Sequence, residues 1–129
     1  MATVTKNITI NQGATYTEIF NFEVLTDPTL PWNSLTNPYI PLNYAGYTAR
    51  MDIRKTFDDA SAVIQLTSTA GIILGSLGKL TISLTAAQTA AISFKGESVE
   101  YVYDLELVNG STVIRPVQGT VTITRNVTR

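Results

Sequence analysis

The chain contains no cysteine and no histidine. Without thiols it can hold no disulfide and no thiolate metal site, and its redox compartment is left open. Without imidazole it lacks the commonest general base, the commonest metal ligand and the one side chain that titrates unperturbed near neutral pH. Charge is scarce too: Asp, Glu, Lys and Arg make up 15% of the 129 residues and leave a net charge of −1. Phosphate-backbone binding needs clustered Lys and Arg, and here the two signs are interleaved, so no nucleic-acid partner is expected. The opening residues Met1 to Lys6 hold no apolar run of signal-peptide length, and no segment approaches a membrane span. The expectation is synthesis in the cytosol without an export signal, and no membrane partner. These absences point away from an enzyme, and no catalytic, cofactor-binding or metal-binding residue is expected.

What is present favours strands. Thr and Val pack well on a pleated surface, and the apolar residues recur with a period of two. Tyr16, Phe20, Phe22 and Val24 share one face of a first segment. In Tyr47 to Arg54 one face is apolar and the other is Thr48, Arg50, Asp52 and Arg54. Leu80, Ile82 and Leu84 alternate with Thr81 and Ser83. Val99, Tyr101, Tyr103, Leu105 and Leu107 alternate with Glu100, Asp104 and Glu106, and Val121 and Ile123 alternate with Thr120, Thr122 and Thr124. One face in the core and one in water is the pattern of antiparallel sheets. Phe20, Phe22, Met51, Ile53, Leu80, Ile82, Tyr103 and Leu105 are the expected core. Shorter runs at Val4 to Ile10, Val63 to Thr67, Ile72 to Leu74 and Thr112 to Val117 fill the gaps, and Asn109-Gly110 predicts a tight hairpin. One stretch reads as helix: Thr85 to Ile92, where Thr85 and Gln88 stand at capping-box spacing.

Residues 27–44 break the pattern. They hold four of the five prolines (Pro28, Pro31, Pro38, Pro41) together with Trp32, Tyr39 and Tyr44. Proline cannot donate to a sheet ladder, so this is no central strand. An irregular connection of this length is uncommon in a compact domain and is usually functional or disordered. Its residues Trp32, Tyr39, Leu35 and Ile40 are the candidate interface, since Trp and Tyr are typical anchors of protein contacts. The other reading of the same residues is a loop that folds back to cover an open end of the domain.

Other candidate motifs have simpler readings. Gly75-Ser76-Leu77-Gly78-Lys79-Leu80 lacks the glycine spacing and the Ser or Thr of a phosphate loop, and reads as a turn before a strand. Asp58-Asp59, near Asp52, lacks the alternating oxygen ligands of a calcium loop and reads as a solvated turn. Arg50, Arg54 and Lys55 share a face with Asp52 and read as a salt-laced outer strand face. Three glycosylation-type triplets, at Asn7, Asn109 and Asn126, arise by chance in a Thr-rich chain. Tyr101 and Tyr103 read as core residues whose hydroxyls find partners.

The segment Pro41-Leu42-Asn43-Tyr44-Ala45-Gly46-Tyr47-Thr48-Ala49-Arg50-Met51-Asp52-Ile53-Arg54-Lys55 resembles a turn-then-strand element of small phage and prophage virion proteins. Asn11-Gln12-Gly13-Ala14-Thr15-Tyr16, Tyr101-Val102-Tyr103-Asp104-Leu105-Glu106-Leu107 and Gly119-Thr120-Val121-Thr122-Ile123, with terminal Val127-Thr128-Arg129, extend the match. In this order they resemble the N-terminal domain of phage baseplate upper proteins, an immunoglobulin-like sandwich that docks onto the tail tip. Those proteins continue into a stalk with receptor-binding parts, whereas this chain stops at Arg129, and Asp27 to Ile40 looks like an insertion. The resemblance carries over no site residue. Together the residues and the resemblance predict a single immunoglobulin-like antiparallel β-sandwich of about seven strands, spanning residues 1–129. The residues imply a non-enzymatic structural or binding module, and the resemblance implies a tail, baseplate or fibre-attachment component of a virion, present in multiple copies in a symmetric assembly and meeting other virion structural proteins. The alternatives are a capsid decoration protein and a carbohydrate-binding module.

Overall fold

In the computed structural model, residues 3–128 are described. They form an all-β sandwich with one short helix. The strands in chain order are β1 (Val4–Thr5), β2 (Ile8–Asn11), β3 (Tyr16–Asn21), β4 (Glu23–Leu25), β5 (Tyr39–Pro41), β6 (Thr48–Arg54), β7 (Ile64–Thr67), β8 (Ile72–Leu74) and β9 (Lys79–Leu84). Helix α1 (Ala86–Ala90) follows, and then β10 (Ser98–Asn109) and β11 (Thr112–Thr124). The larger sheet runs β1-β11-β10-β6-β7, with β2 also lying along β11. The smaller sheet runs β3-β9-β8, and β4 pairs with β5 as a separate ribbon. Eleven segments stand where about seven strands were expected. The excess arises from interruptions and from the ribbon. The first strand is split between β1 and β2, both parallel to β11, and β3 and β4 are one line broken at Phe22.

Alternation selected the core residues. Phe20, Phe22, Met51, Ile53, Leu80, Ile82, Tyr103 and Leu105 are all buried, between sheets whose other faces meet water. The Tyr103 hydroxyl donates to Lys6 O at 2.6 Å, which Gly119 permits because a side chain there would collide with that carbonyl. The helix is capped as its sequence predicts. Thr85 Oγ1 accepts from Gln88 N–H at 3.1 Å, and the Thr85 N–H donates to Gln88 Oε1 at 2.8 Å.

Two regions depart from the expected pattern. Thr112 to Val117 and Val121 to Ile123 are one strand of 13 residues, β11. A bulge opposite Leu105–Leu107 places one extra residue in it, so Pro116 and Val117 are buried in succession. The alternation changes phase there, and a bulge is where a strand tolerates proline. At the hairpin, Asn109 pairs with Thr112, leaving Gly110-Ser111 as the loop, with Gly110 at φ +60°. The turn therefore takes Gly at its first central position and not Asn-Gly at both. The Gly75–Lys79 stretch is the turn between β8 and β9, closed by Gly75 N–H donating to Lys79 O at 2.8 Å.

Candidate functional site: the proline-rich arm

The 27–44 segment is not irregular throughout. Its C-terminal part supplies β5, which pairs with β4 through Glu23↔Pro41, Val24↔Ile40 and Leu25↔Tyr39. Leu42 N–H donates to Phe22 O at 2.9 Å and Thr26 N–H donates to Pro38 O at 3.1 Å. The odd positions of β5 thus face away from β4, and the missing N–H of Pro41 breaks no ladder bond. The ribbon projects from the end of β3 as an arm.

Beyond the ribbon, side-chain amides hold the chain. Asn37 is 2% exposed. Its Nδ2 donates to Asp27 O at 2.9 Å, Pro31 O at 3.0 Å and Leu30 O at 3.2 Å, and its Oδ1 accepts from Asp27 N–H at 2.7 Å. One residue therefore ties together both strands leaving the ribbon, with both amide hydrogens engaged, one of them shared between two carbonyls, and the amide oxygen accepting once. Asn33 N–H and Asn37 N–H donate to each other's carbonyl oxygens at 3.0 and 2.8 Å. Asn33 Oδ1 accepts from Leu35 N–H at 2.9 Å and shapes the tip. Asp27 Oδ1 accepts from the N–H and hydroxyl of Thr29, and the hydroxyl bond in particular holds its carboxyl below the ordinary aspartate value.

The candidate interface residues stand outside this scaffold. Leu35 is 91% exposed, Trp32 57%, Tyr39 54% and Ile40 41%. Trp32 and Leu35 lie near the tip, whereas Tyr39 and Ile40 lie on the ribbon, so the four occupy two stations along one arm. Tyr44, the remaining aromatic of the segment, is buried. It donates its hydroxyl to Gly78 O at 2.8 Å, and burial pushes its pKa up to about 12.

Two features were not legible beforehand. The first is Asn37, whose partners are main-chain groups of residues that no periodicity connects to it. The second is an open cleft of about 720 Å³ at the base of the arm, lined by Val4, Val24, Tyr39, Tyr47, Ile114 and Pro116 among others. It lies between β4 and the β1–β11 margin of the larger sheet. The sign of the surface elsewhere follows expectation. On the outer face of the larger sheet Arg50 pairs with Glu106 at 2.8 Å, Arg54 with Asp52 at 2.7 Å and Arg115 with Asp104 at 3.2 Å. Asp104 is nonetheless held above the ordinary aspartate value, by burial first and by neighbouring carboxylates, against the pull of Arg115.

No protein-family model matches the chain, and no curated protein matches it.

Proposed function

We propose that this chain is a non-enzymatic structural component of a bacteriophage particle, in the tail, baseplate or fibre-attachment region, and that its arm is the element that meets neighbouring subunits. The immunoglobulin-like character and the virion setting rest on the resemblance of its strand motifs to the N-terminal domain of baseplate upper proteins. The observation that carries the interaction role is the arm's inverted chemistry: polar Asn37 is buried while apolar Leu35 and Trp32 meet solvent. Exposed large apolar side chains on a stiffened loop suit docking, because little freedom is left to lose on binding. Trp32 near the tip and Tyr39 on the ribbon are of the residue types on which interfaces concentrate their energy.

The test is incorporation into particles. Trp32→Ala is expected to leave the melting temperature of the isolated chain unchanged and to reduce its copy number in purified particles. A variant that melts many degrees lower and still incorporates whenever it folds would make the arm structural cover only. Mass spectrometry of separated heads and tails distinguishes the tail reading from capsid decoration.

A further inference from the structure

A second surface carries an inference that depends on neither the virion reading nor the arm tip. Strands β3 and β4 form one line. Phe22 N–H donates to Gly78 O at 3.0 Å, Leu42 N–H donates to Phe22 O at 2.9 Å and Thr26 N–H donates to Pro38 O at 3.1 Å. Even-numbered residues of this line therefore turn their main-chain groups toward β9 and β5. Main-chain groups on the two sides of a strand alternate, so Thr17, Ile19, Asn21, Glu23 and Leu25 turn theirs the other way. Among the described residues no hydrogen bond takes the N–H or C=O of these five.

Free strand edges template pairing with other chains, and proteins usually blunt them with brevity, lysine, proline, bulges or inward-pointing charges. The other edges follow that rule. β1 has two residues and β8 has three. β7 has four, and β5 is bounded by Pro38 and Pro41. The stretch of β11 beyond β1 carries Arg115, Pro116 and the bulge. From Thr17 to Leu25 there is no lysine, no proline and no bulge, and the inward-pointing charge, Glu18, is paired with Lys6.

The cleft of about 720 Å³ begins at this edge, since Asn21, Glu23, Val24 and Leu25 line one side of it and Val4, Ile114 and Pro116 the other. A strand added beside β4 would direct alternate side chains into it. Its rim is acidic. The chain has no Lys or Arg between Asn7 and Ala49. The nearest cation before that stretch, Lys6, is engaged by Glu18, and Lys79, opposite Asn21 on β9, forms no ion pair with Glu23 among the described residues. Glu23 is exposed on the cleft wall and forms no ion pair among the described residues.

We infer that the β3–β4 edge and its cleft bind an extended segment of another protein by strand addition, with alternate apolar side chains in the cleft and a Lys or Arg beside Glu23. Main-chain pairing supplies affinity and the cleft with Glu23 supplies selectivity, as in other strand-addition complexes.

The probe is a fluorescein-labelled peptide alternating Val and Thr with Lys at both ends, compared with a twin ending in Glu, by fluorescence anisotropy on the whole chain. The Lys peptide is expected to bind at least about tenfold tighter than its twin. Glu23→Lys should reverse that preference. Glu23→Pro, which removes an outward N–H and no internal hydrogen bond, should weaken both peptides while leaving the circular dichroism spectrum unchanged. In the unaltered chain, bound Lys peptide should slow amide exchange at Ile19, Asn21, Glu23 and Leu25, a readout that needs no variant to fold. Equal binding of the twins, binding of neither, or unchanged exchange at those four amides would overturn the inference. Dimerisation of the chain alone through this edge would also overturn it, by assigning the edge to a second copy. None of these outcomes bears on incorporation through the arm tip.

Discussion

At the end of the sandwich that carries α1, Ile92 is 3% exposed and polar groups knit the chain around it. Gln12 Nε2 donates to Ile92 O at 2.7 Å, and the Thr89 hydroxyl donates to Ala14 O at 2.8 Å. At the opposite end the arm buries an amide, Asn37 at 2%, and leaves Leu35 91% exposed. Both ends must satisfy main-chain groups that no sheet can pair. The helix end does so with a cap and an apolar plug, so its apolar surface is consumed by folding. The arm does so with Asn37, Asn33 and Asp27, so its apolar surface is not consumed. Side chains that folding does not use are free to meet a partner, and the contrast therefore makes different demands of each end in stability measurements.

The largest effect belongs where the arm joins the core. Phe22 stacks on Phe20 with ring centroids 5.6 Å apart, and its main chain bonds to both Gly78 and Leu42. Phe22→Ala should lower unfolding free energy by about 3–5 kcal/mol in a urea titration. A loss below about 1 kcal/mol would mean that the junction is loose and that the arm is not mounted on the core.

Next comes alkaline pH. Burial raises the Tyr44 and Tyr103 hydroxyls from 10.0 to about 12, with Glu18 adding to the shift at Tyr103. Between those values the unfolded chain releases protons that the folded chain keeps. Stability should therefore be unaffected by these groups below about pH 10 and should fall as pH rises toward 12, by on the order of 2 kcal/mol per tyrosine. Equilibrium unfolding of Tyr44→Phe across that range should show a shallower decline than the unaltered chain. An identical decline would exclude Tyr44 as a source.

Smaller effects separate the two ends directly. Thr89→Val removes a buried hydroxyl bond at the helix end and should lower global stability by about 1 kcal/mol. Asn37→Ala leaves several arm carbonyls unpaired. Because the arm is held by its own amides, its protection against amide exchange should collapse at Leu35 and Thr36 while the exchange of β10 amides hardly changes. Global unfolding of Asn37→Ala with uniform loss of protection would break the comparison, by making the arm part of one cooperative unit.

The smallest effect is expected at the tip and on the charged face. Trp32→Ala and Arg50→Ala should each change stability by less than about 0.5 kcal/mol. A large loss for Trp32→Ala would place the indole in the fold and not at an interface.

The strand faces were readable because a period of two is a local signal. In β10 the inward set Tyr101, Tyr103, Leu105 and Leu107 runs unbroken and is buried throughout. Reading failed where that period is interrupted or used for another purpose. Pro116 shifts the phase of β11 through a bulge that only the pairing with β10 reveals. Glu18 occupies an inward position of β3 and is half-buried, because Lys6, in the break between β1 and β2, engages it there and its carboxylate accepts the Tyr16 hydroxyl at 3.1 Å. Burial and that carboxylate push the Tyr16 pKa far up. A carboxylate can hold such a position only with a partner supplied from distant sequence.

For the candidate site, Trp32, Tyr39, Leu35 and Ile40 stood out by composition, as apolar residues in a stretch too rich in proline for a sheet interior. Their exposure depends on Asn37, whose four main-chain bonds reach residues six to ten positions away and have no sequence period. The β3–β4 edge and its cleft were out of reach of sequence altogether. Whether a strand has a neighbour is a property of the assembled sheets, and the cleft exists because Val4, Ile114 and Pro116 meet Val24 across the gap between them. Composition, alternation and capping residues by themselves determined an all-β chain, its buried faces and its one helix, since each acts over a few residues. Tertiary structure alone decided which edge stays unpaired, which side chains the arm leaves in water and where the sandwich opens, since each depends on groups brought together from far apart in the chain.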